Sequence, residues 1–390
     1  MRFENVIGHS ETKEQLRQLI DQNRLSHALL FLGKEGSGAL PLALAFSTYL
    51  IEQSELKNKK ATVSLFGEEK TIPGHGAANA NQYIHPDVHY CYPVIPAKSG
   101  DKPISTDYIA EWREFISLHP YGNAFDWLQF IGAENKQGNI TSDECNDIIR
   151  KLSLKSFESE YKILILWMPE YLGKEGNKLL KLIEEPPANT LFILVAENES
   201  LVLPTIISRT QLIKVPALTD AAIEEALQTR AKVSATQARQ IAAVCEGNYR
   251  EALSLLQHSE DDWQGLLREW LNAILKSGPV AQVKWIDEMS KIGREKQKQF
   301  LKYFIHLLEQ AIRIRSFGEA ANQLSIPENE FDFAQRLNKL CQVGQQEAII
   351  NELDRASYYI ERNANGKMLF HALSIKLYHI ISNNSLILAN

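Results

Sequence analysis

The sequence predicts an α/β fold, a parallel sheet covered by helices on both faces, that gives way to an all-α region. Three observations carry this. Four short apolar-rich runs, at 27–32, 161–167, 191–196 and 211–215, alternate with stretches of helical periodicity. Near-continuous apolar strands belong in parallel sheets buried on both faces. The first run leads through a glycine-rich turn, Gly33 to Gly38, into a helix, which is how a nucleotide-binding α/β unit opens. Beyond Pro216 the strand signal ends.

In chain order, residues 11–22 read as a helix, with Leu16, Leu19 and Ile20 at helical spacing. The helix after the glycine turn spans 40–51, where Pro41 is tolerated because a first-turn N–H has no helical partner. Residues 53–105 are rich in Lys, Gly, Ala, Asn and Pro without sustained periodicity, and read as an irregular insertion. Helices are expected near 106–118 and 141–155, the second opened by the capping candidates Thr141, Ser142 and Asp143. Residues 174–185 read as a helix with Leu179, Leu180 and Ile183 on its apolar side, stopped by Pro186-Pro187, which donate no backbone hydrogen bond. About three short helices fill 218–258, split near Ser234 and at Gly247-Asn248. Longer amphipathic helices, such as 297–316 and 366–382, occupy the rest. The domains expected are 1–215, with the insertion at about 53–105, then 216–260 and 261–390.

The 390 residues are 44% hydrophobic and 23% charged, the balance of a soluble globular protein. No apolar run approaches the roughly 18 residues of a membrane span. The start, MRFENVIGHSETKEQL, has acidic residues and no apolar core, so no secretory signal is expected. Cys91, Cys145, Cys245 and Cys341 stand far apart, which fits free thiols in a reducing cytoplasm. The net charge of -6 argues against a protein that holds nucleic acid alone, since cationic groups dominate that binding. The locally basic stretch 291–302 reads as a solvated helix face.

A working phosphate loop has the form GxxxxGK[ST]: backbone amides cradle phosphate, the lysine contacts the outer phosphates, and the hydroxyl holds magnesium. The segment Gly33-Lys34-Glu35-Gly36-Ser37-Gly38-Ala39-Leu40 keeps the glycines but places Ala39 and Leu40 at the chemical positions. Neither supplies charge or oxygen, and Lys34 lies on the wrong side of the loop. An ATPase of this kind also needs an acidic pair after a neighbouring strand. Trp167 and Met168 fill that place, and Glu170, slightly further on, reads as a surface residue. No ATPase activity is expected of the chain by itself.

Several runs resemble the bacterial clamp-loader AAA+ family. They are NKLLKLIEEPP at 177–187, LFILVAEN at 191–198, LPTIISR at 203–209, FENVIGH at 3–9, NRLSHALLF at 23–31 and NGK at 365–367. The resemblance covers essentially the whole chain outside 53–105. It implies an AAA+ P-loop core, a helical lid and a helical collar domain for oligomerisation, and the lost residues select a non-catalytic, scaffolding member. Where the family has Ser-Arg-Cys, this chain has Ser208-Arg209-Thr210. The resemblance makes Arg209 an arginine finger for ATP bound by a neighbouring subunit, a task that suits a permanently charged, bidentate guanidinium.

In the same way Arg250, in Gly247-Asn248-Tyr249-Arg250, matches a nucleotide-sensing lid arginine, the alternative being an ordinary exposed residue. The third-strand sensor aligns with Ala196 or Glu197. Family members commonly bind zinc through cysteines in the insertion. Here the CxxCxxC segment aligns with 73–79 and has none, so no zinc is expected. His75, His85, His89 and Cys91 are the nearby ligand types, and His85 opens a His-Pro-Asp turn read as structural. The implied partners are gamma/tau ATPase subunits and the delta subunit and, through the complex, the sliding clamp and primer-template DNA, with no membrane. Rival readings are an active gamma/tau-like ATPase and a stand-alone DNA-binding repair or recombination factor.

Overall fold

The chain divides into two units, Met1–Ser259 and Glu260–Asn390. The computed structural model describes residues 1–62, 75–96, 102–133, 136–257, 263–318, 328–361 and 364–383. In the first unit the elements run α1 (Ser10–Asp21), β1 (Ala28–Leu32), α2 (Ala39–Thr62), α3 (His75–Asn81), β2 (Val88–Cys91), α4 (Ile109–Leu118), α5 (Ala124–Phe130) and α6 (Ser142–Ser153). They continue as β3 (Lys162–Trp167), α7 (Leu180–Glu184), β4 (Thr190–Ala196), α8 (Pro204–Ile207), β5 (Gln211–Lys214), α9 (Asp220–Arg230), α10 (Ala235–Val244) and α11 (Tyr249–Gln257). The five strands are parallel, in the order β2-β3-β4-β1-β5. With the glycine turn between β1 and α2, this is the AAA+ arrangement that the resemblance implies.

The side-chain period of two explains why the strands carry no polar alternation. Leu29, Phe31, Ile163, Ile165, Trp167, Leu191, Ile193 and Val195 face one core, shared with α2. Leu30, Leu164, Leu166, Phe192 and Leu194 face the other, shared with Ile148 and Leu152 of α6 and with Leu179 and Ile183. Both faces are buried, so both must be apolar.

Residues 53–105 are not an irregular insertion where the structure describes them. Helix α2 runs on to Thr62, α3 follows, and β2 is an edge strand in register with β3 from Val88↔Ile163 to Cys91↔Leu166. Its sequence, VHYC, is short and polar at His89, because an edge strand needs burial and pairing chiefly on one side. Asp87 anchors the strand's start. It accepts the N–H groups of Phe157, Glu158 and Ser159 at 2.6, 2.7 and 2.8 Å. His85 Nδ1 accepts the Asp87 N–H at 3.1 Å, which is a structural role.

Two further differences concern helices. The stretch expected as a helix at 174–185 is 3₁₀ through Pro169–Leu179, interrupted by Gly173, and α-helical only in α7. Helix α5 was not anticipated. Asn123 and Asp126 cap it reciprocally: Asp126 N–H donates to Asn123 Oδ1 and Asn123 N–H to Asp126 Oδ2, each at 3.0 Å.

Thr219 and Ser234 cap α9 and α10. Helices α9–α11 share a core of Ile223, Leu227, Ala238, Ala242, Cys245 and Tyr249 with Ile7 and Tyr121 of the sheet domain. Tyr121 accepts the Ile7 N–H at 2.8 Å and meets the Tyr249 ring at 5.0 Å. The expected boundary at 215/216 is thus a change of secondary structure within one packing unit.

The described residues of the second unit are helical: α12 (Trp263–Asn272), α13 (Pro279–Met289), α14 (Arg294–Phe317), α15 (Glu328–Leu340), α16 (Val343–Glu361) and α17 (Gly366–Asn383), with a π-helical turn at Ala273–Ser277. Trp270 and Trp285 stack at 4.9 Å, and Trp270 Nε1 donates to Ser374 Oγ at 2.9 Å. Lys367 of the NGK run pairs with Asp287 at 2.6 Å and so ties α17 to α13. The basic stretch at 291–302 is only partly a solvated face: Lys291 is exposed and Lys296 and Lys302 are half-buried, whereas Gln297, Lys298, Gln299, Phe300 and Leu301 are buried.

Candidate functional site

β1 delivers the chain to Gly33, whose N–H donates to Ala196 O on β4 at 3.1 Å. The loop then bends into α2. Ala39 and Leu40 open that helix and lie inside the apolar core, 7% and 4% exposed. The positions that would carry an ammonium and a hydroxyl are therefore packed with hydrocarbon. Lys34 is exposed. His9 Nε2 is bonded to Ser37 O at 2.7 Å. Burial holds the His9 pKa below its usual range, against the Ser37 bond and with help from Lys13.

Two glycines are required by geometry. Gly36 has φ +68°, and a Cβ there would lie 1.7 Å from Asn248 Oδ1. Gly38 has φ +95°, and a Cβ there would lie 2.9 Å from the Tyr121 ring. Both positions are left-handed and crowded by protein, conditions only glycine meets comfortably. The backbone is close to the lid as well, since Tyr249 N–H donates to Gly36 O at 3.1 Å.

Charged groups gather at the same place. Arg250 is 8% exposed, which excludes the exposed-residue reading. It donates from Nε and Nη2 to the two oxygens of Asp126 at 2.6 and 2.7 Å, and from Nη1 to Glu35 Oε1 at 3.1 Å. Glu35 also accepts from Asn123 Nδ2 at 2.9 Å and Asn248 Nδ2 at 3.3 Å. The sequence reading missed Glu35, Asn123 and Asp126. The only local signal was the Asn-x-x-Asp capping pattern at 123–126.

At the expected acidic site, Trp167 and Met168 are 2% and 3% exposed. Trp167 packs among Trp112 and Phe115, at 5.1 and 6.1 Å between rings. Met168 turns the chain in a left-handed conformation, φ 59° and ψ 60°. Glu170 is not a surface residue. It is half-buried, and its Oε1 accepts the N–H groups of Glu197 and Asn198 at 2.6 and 2.9 Å. Burial raises its pKa against those bonds. It braces the turn after β4 because two inward amides there need an acceptor. Ala196, one candidate sensor position, is buried in that strand, and Glu197 is half-buried.

Arg209 and Ser208 stand at the end of α8. Arg209 Nη1 donates to Thr205 O at 2.8 Å and Ser208 Oγ at 3.2 Å, and Nε is paired with Glu184 at the end of α7. About a third of the Arg209 side chain is exposed. In this chain the guanidinium rests on its own surface, within reach of solvent.

Cys91, Cys145, Cys245 and Cys341 are free and buried. Among the described residues no group of three His, Cys, Asp or Glu is arranged to hold a metal. Residues 73 and 74 of the segment matched to the zinc cysteines, and the His75 side chain, lie outside the description. No described helix is long and apolar enough to cross a membrane.

Residues 8–219 match the family described as DNA polymerase III, delta subunit. The DNA polymerase III subunit tau of Bacillus subtilis (strain 168) is 25% identical over 301 residues, covering 76% of this chain and 44% of that protein. The subunit delta' of the same organism is 27% identical over 244 residues, covering 62% of this chain and 57% of that protein. The chain thus spans about half the length of these curated relatives. A solved structure of a DNA polymerase III gamma subunit-related protein from Thermotoga maritima shares 14% identity at a TM-score of 0.37, over 94% of this chain and 99% of that one.

Proposed function

Because this chain belongs to the family described as DNA polymerase III, delta subunit, we propose that it is a non-catalytic clamp-loader subunit of the delta-prime type. In this reading it scaffolds a complex with gamma/tau ATPase subunits and a delta subunit. Arg209 is its contribution to chemistry, offered to ATP held by the neighbouring subunit. The assembly would load a sliding clamp onto primer-template DNA. One observation carries the reading: the phosphate loop is filled with protein, with Ala39 and Leu40 in the core and Glu35 paired to Arg250, while Arg209 stays at the surface. An exposed stripe on α17, Met368, Ile375 and Tyr378, supports packing of the second unit against other subunits.

The test is Arg209→Ala in a reconstituted loader. Assembly should persist, while turnover at the adjoining ATP site falls by roughly 10³-fold, the scale of arginine fingers elsewhere. Unchanged clamp-stimulated ATPase would remove the finger from the account. The similarity to a tau subunit favours a second reading, an ATPase with unusual motifs. Steady ATP turnover by the purified chain would establish it, and the buried Ala39, Leu40, Trp167 and Met168 count against it.

A further inference from the structure

The lid helix α11 is fastened to the glycine loop by a charge cluster centred on Arg250. We propose that this cluster is an internal lock, holding the lid on the sheet domain whether or not nucleotide is present. In it the carboxylates of Glu35 and Asp126 give Arg250 the negative charge that a bound triphosphate would otherwise bring.

The three charges come from the loop after β1, from α5 and from the first turn of α11, so the cluster ties together segments far apart in sequence. Asp126 engages Arg250 through two parallel bonds, at 2.6 and 2.7 Å, the strongest and most directional geometry for this pair. Glu35 adds a third at 3.1 Å. Asn123 and Asn248 add two more bonds to Glu35, at 2.9 and 3.3 Å. Asn248 also holds α11 itself, since its Oδ1 accepts the Glu251 N–H at 3.0 Å while its amide reaches Glu35.

Opening the lid would separate Arg250 from Asp126 and Glu35 and give up three charge-assisted bonds together. The lid position thereby becomes a fixed property of the fold. Its value inside a loader rests on the scaffold reading, but the lock itself is read on the isolated chain.

The experiment is amide hydrogen exchange on the full-length chain, with and without magnesium ATP. In the unaltered chain, residues 248–256 should exchange slowly and identically in both conditions. Arg250→Met should accelerate exchange there and at 34–38 by at least tenfold, with 300–311 of α14 unchanged. Glu35→Gln, which leaves the Asp126 pair in place, should give a smaller acceleration. Asp126→Asn should fall between the two, and this carboxylate series serves if Arg250→Met does not fold. Exchange at 248–256 that is unaltered across the series would overturn the lock. So would slowing by ATP in the unaltered chain, since nucleotide would then be setting the lid. Failure of the arginine-finger reading would appear in loader ATPase assays and leave these rates untouched.

Discussion

Gly36→Ala should lower stability by about 4 kcal/mol, and the structure supplies each part of that figure. At φ +68° an alanine pays about 1–2 kcal/mol for the left-handed backbone. Its Cβ would overlap Asn248 Oδ1, 1.7 Å away, and that atom cannot stay. Moving Asn248 removes the cap on the Glu251 N–H, worth about 1 kcal/mol. It also removes the bond to the Glu35 carboxylate, worth about 1.5–3 kcal/mol for a charged acceptor. At roughly 2–4 °C per kcal/mol for a unit of this size, the melting transition of the first unit should drop by about 10 °C. Circular dichroism melts would read this. In an Asn248→Ala background the same substitution should cost only about 1–2 kcal/mol, because the collision is gone. A Gly36→Ala protein melting within about 2 °C of the parent, or an equal penalty in both backgrounds, would refute the reasoning.

Two predictions concern acid. Burial pushes the Asp87 carboxyl up, but the backbone bonds from Ser159, Phe157 and Glu158, with His85, outweigh it and hold its pKa below 3.8. A depressed folded value means that its stabilisation is full above pH ~4 and is lost as pH falls through that value. Asp87→Asn should therefore cost about 2–3 kcal/mol at pH 7 in urea unfolding, with the gap closing below pH 4. A gap constant from pH 7 to pH 3 would contradict this. His89 is lowered from 6.5 to about 4, by burial first and then by Lys151 and Lys162. The unfolded chain takes up its proton sooner, so stability is full above pH 6.5 and declines by up to roughly 3 kcal/mol as pH falls towards 4. His89→Gln should flatten that decline in unfolding measurements at pH 7 and 4.5, and an equally steep loss in the variant would assign it to other groups.

The central strands were legible because burial on both faces leaves no polar residue in β3 or β4 beyond their first positions. β2 escaped notice for the opposite reason, since four residues at an edge can keep a histidine half-buried and still pair. The glycine loop and Arg209 were readable because their patterns are local. Arg250's environment was not, as its partners lie 215 and 124 residues away and no local spacing encodes such a meeting. Lys298 and Glu170 failed for a related reason: polarity suggests solvent, whereas long or bonded polar side chains can be buried once acceptors or stems are accommodated.

Gly36 and Gly38 are required by sterics, whatever the chemistry of the loop. A loop turning from β1 into α2 beneath a close lid requires them whether phosphate or Asn248 is the neighbour, while a lysine and hydroxyl matter only to a ligand. Restoring Ala39→Lys should therefore not restore turnover. The new ammonium would enter a position 7% exposed within hydrocarbon, where an unpaired charge is expelled or deprotonated. Leu40 would still give magnesium no oxygen, and Trp167 and Met168 no carboxylate. Phosphate release from magnesium ATP by the purified variant should stay at background. Measurable turnover would show that one cation suffices in this cavity, and the reading of the loop as structural would fall with it.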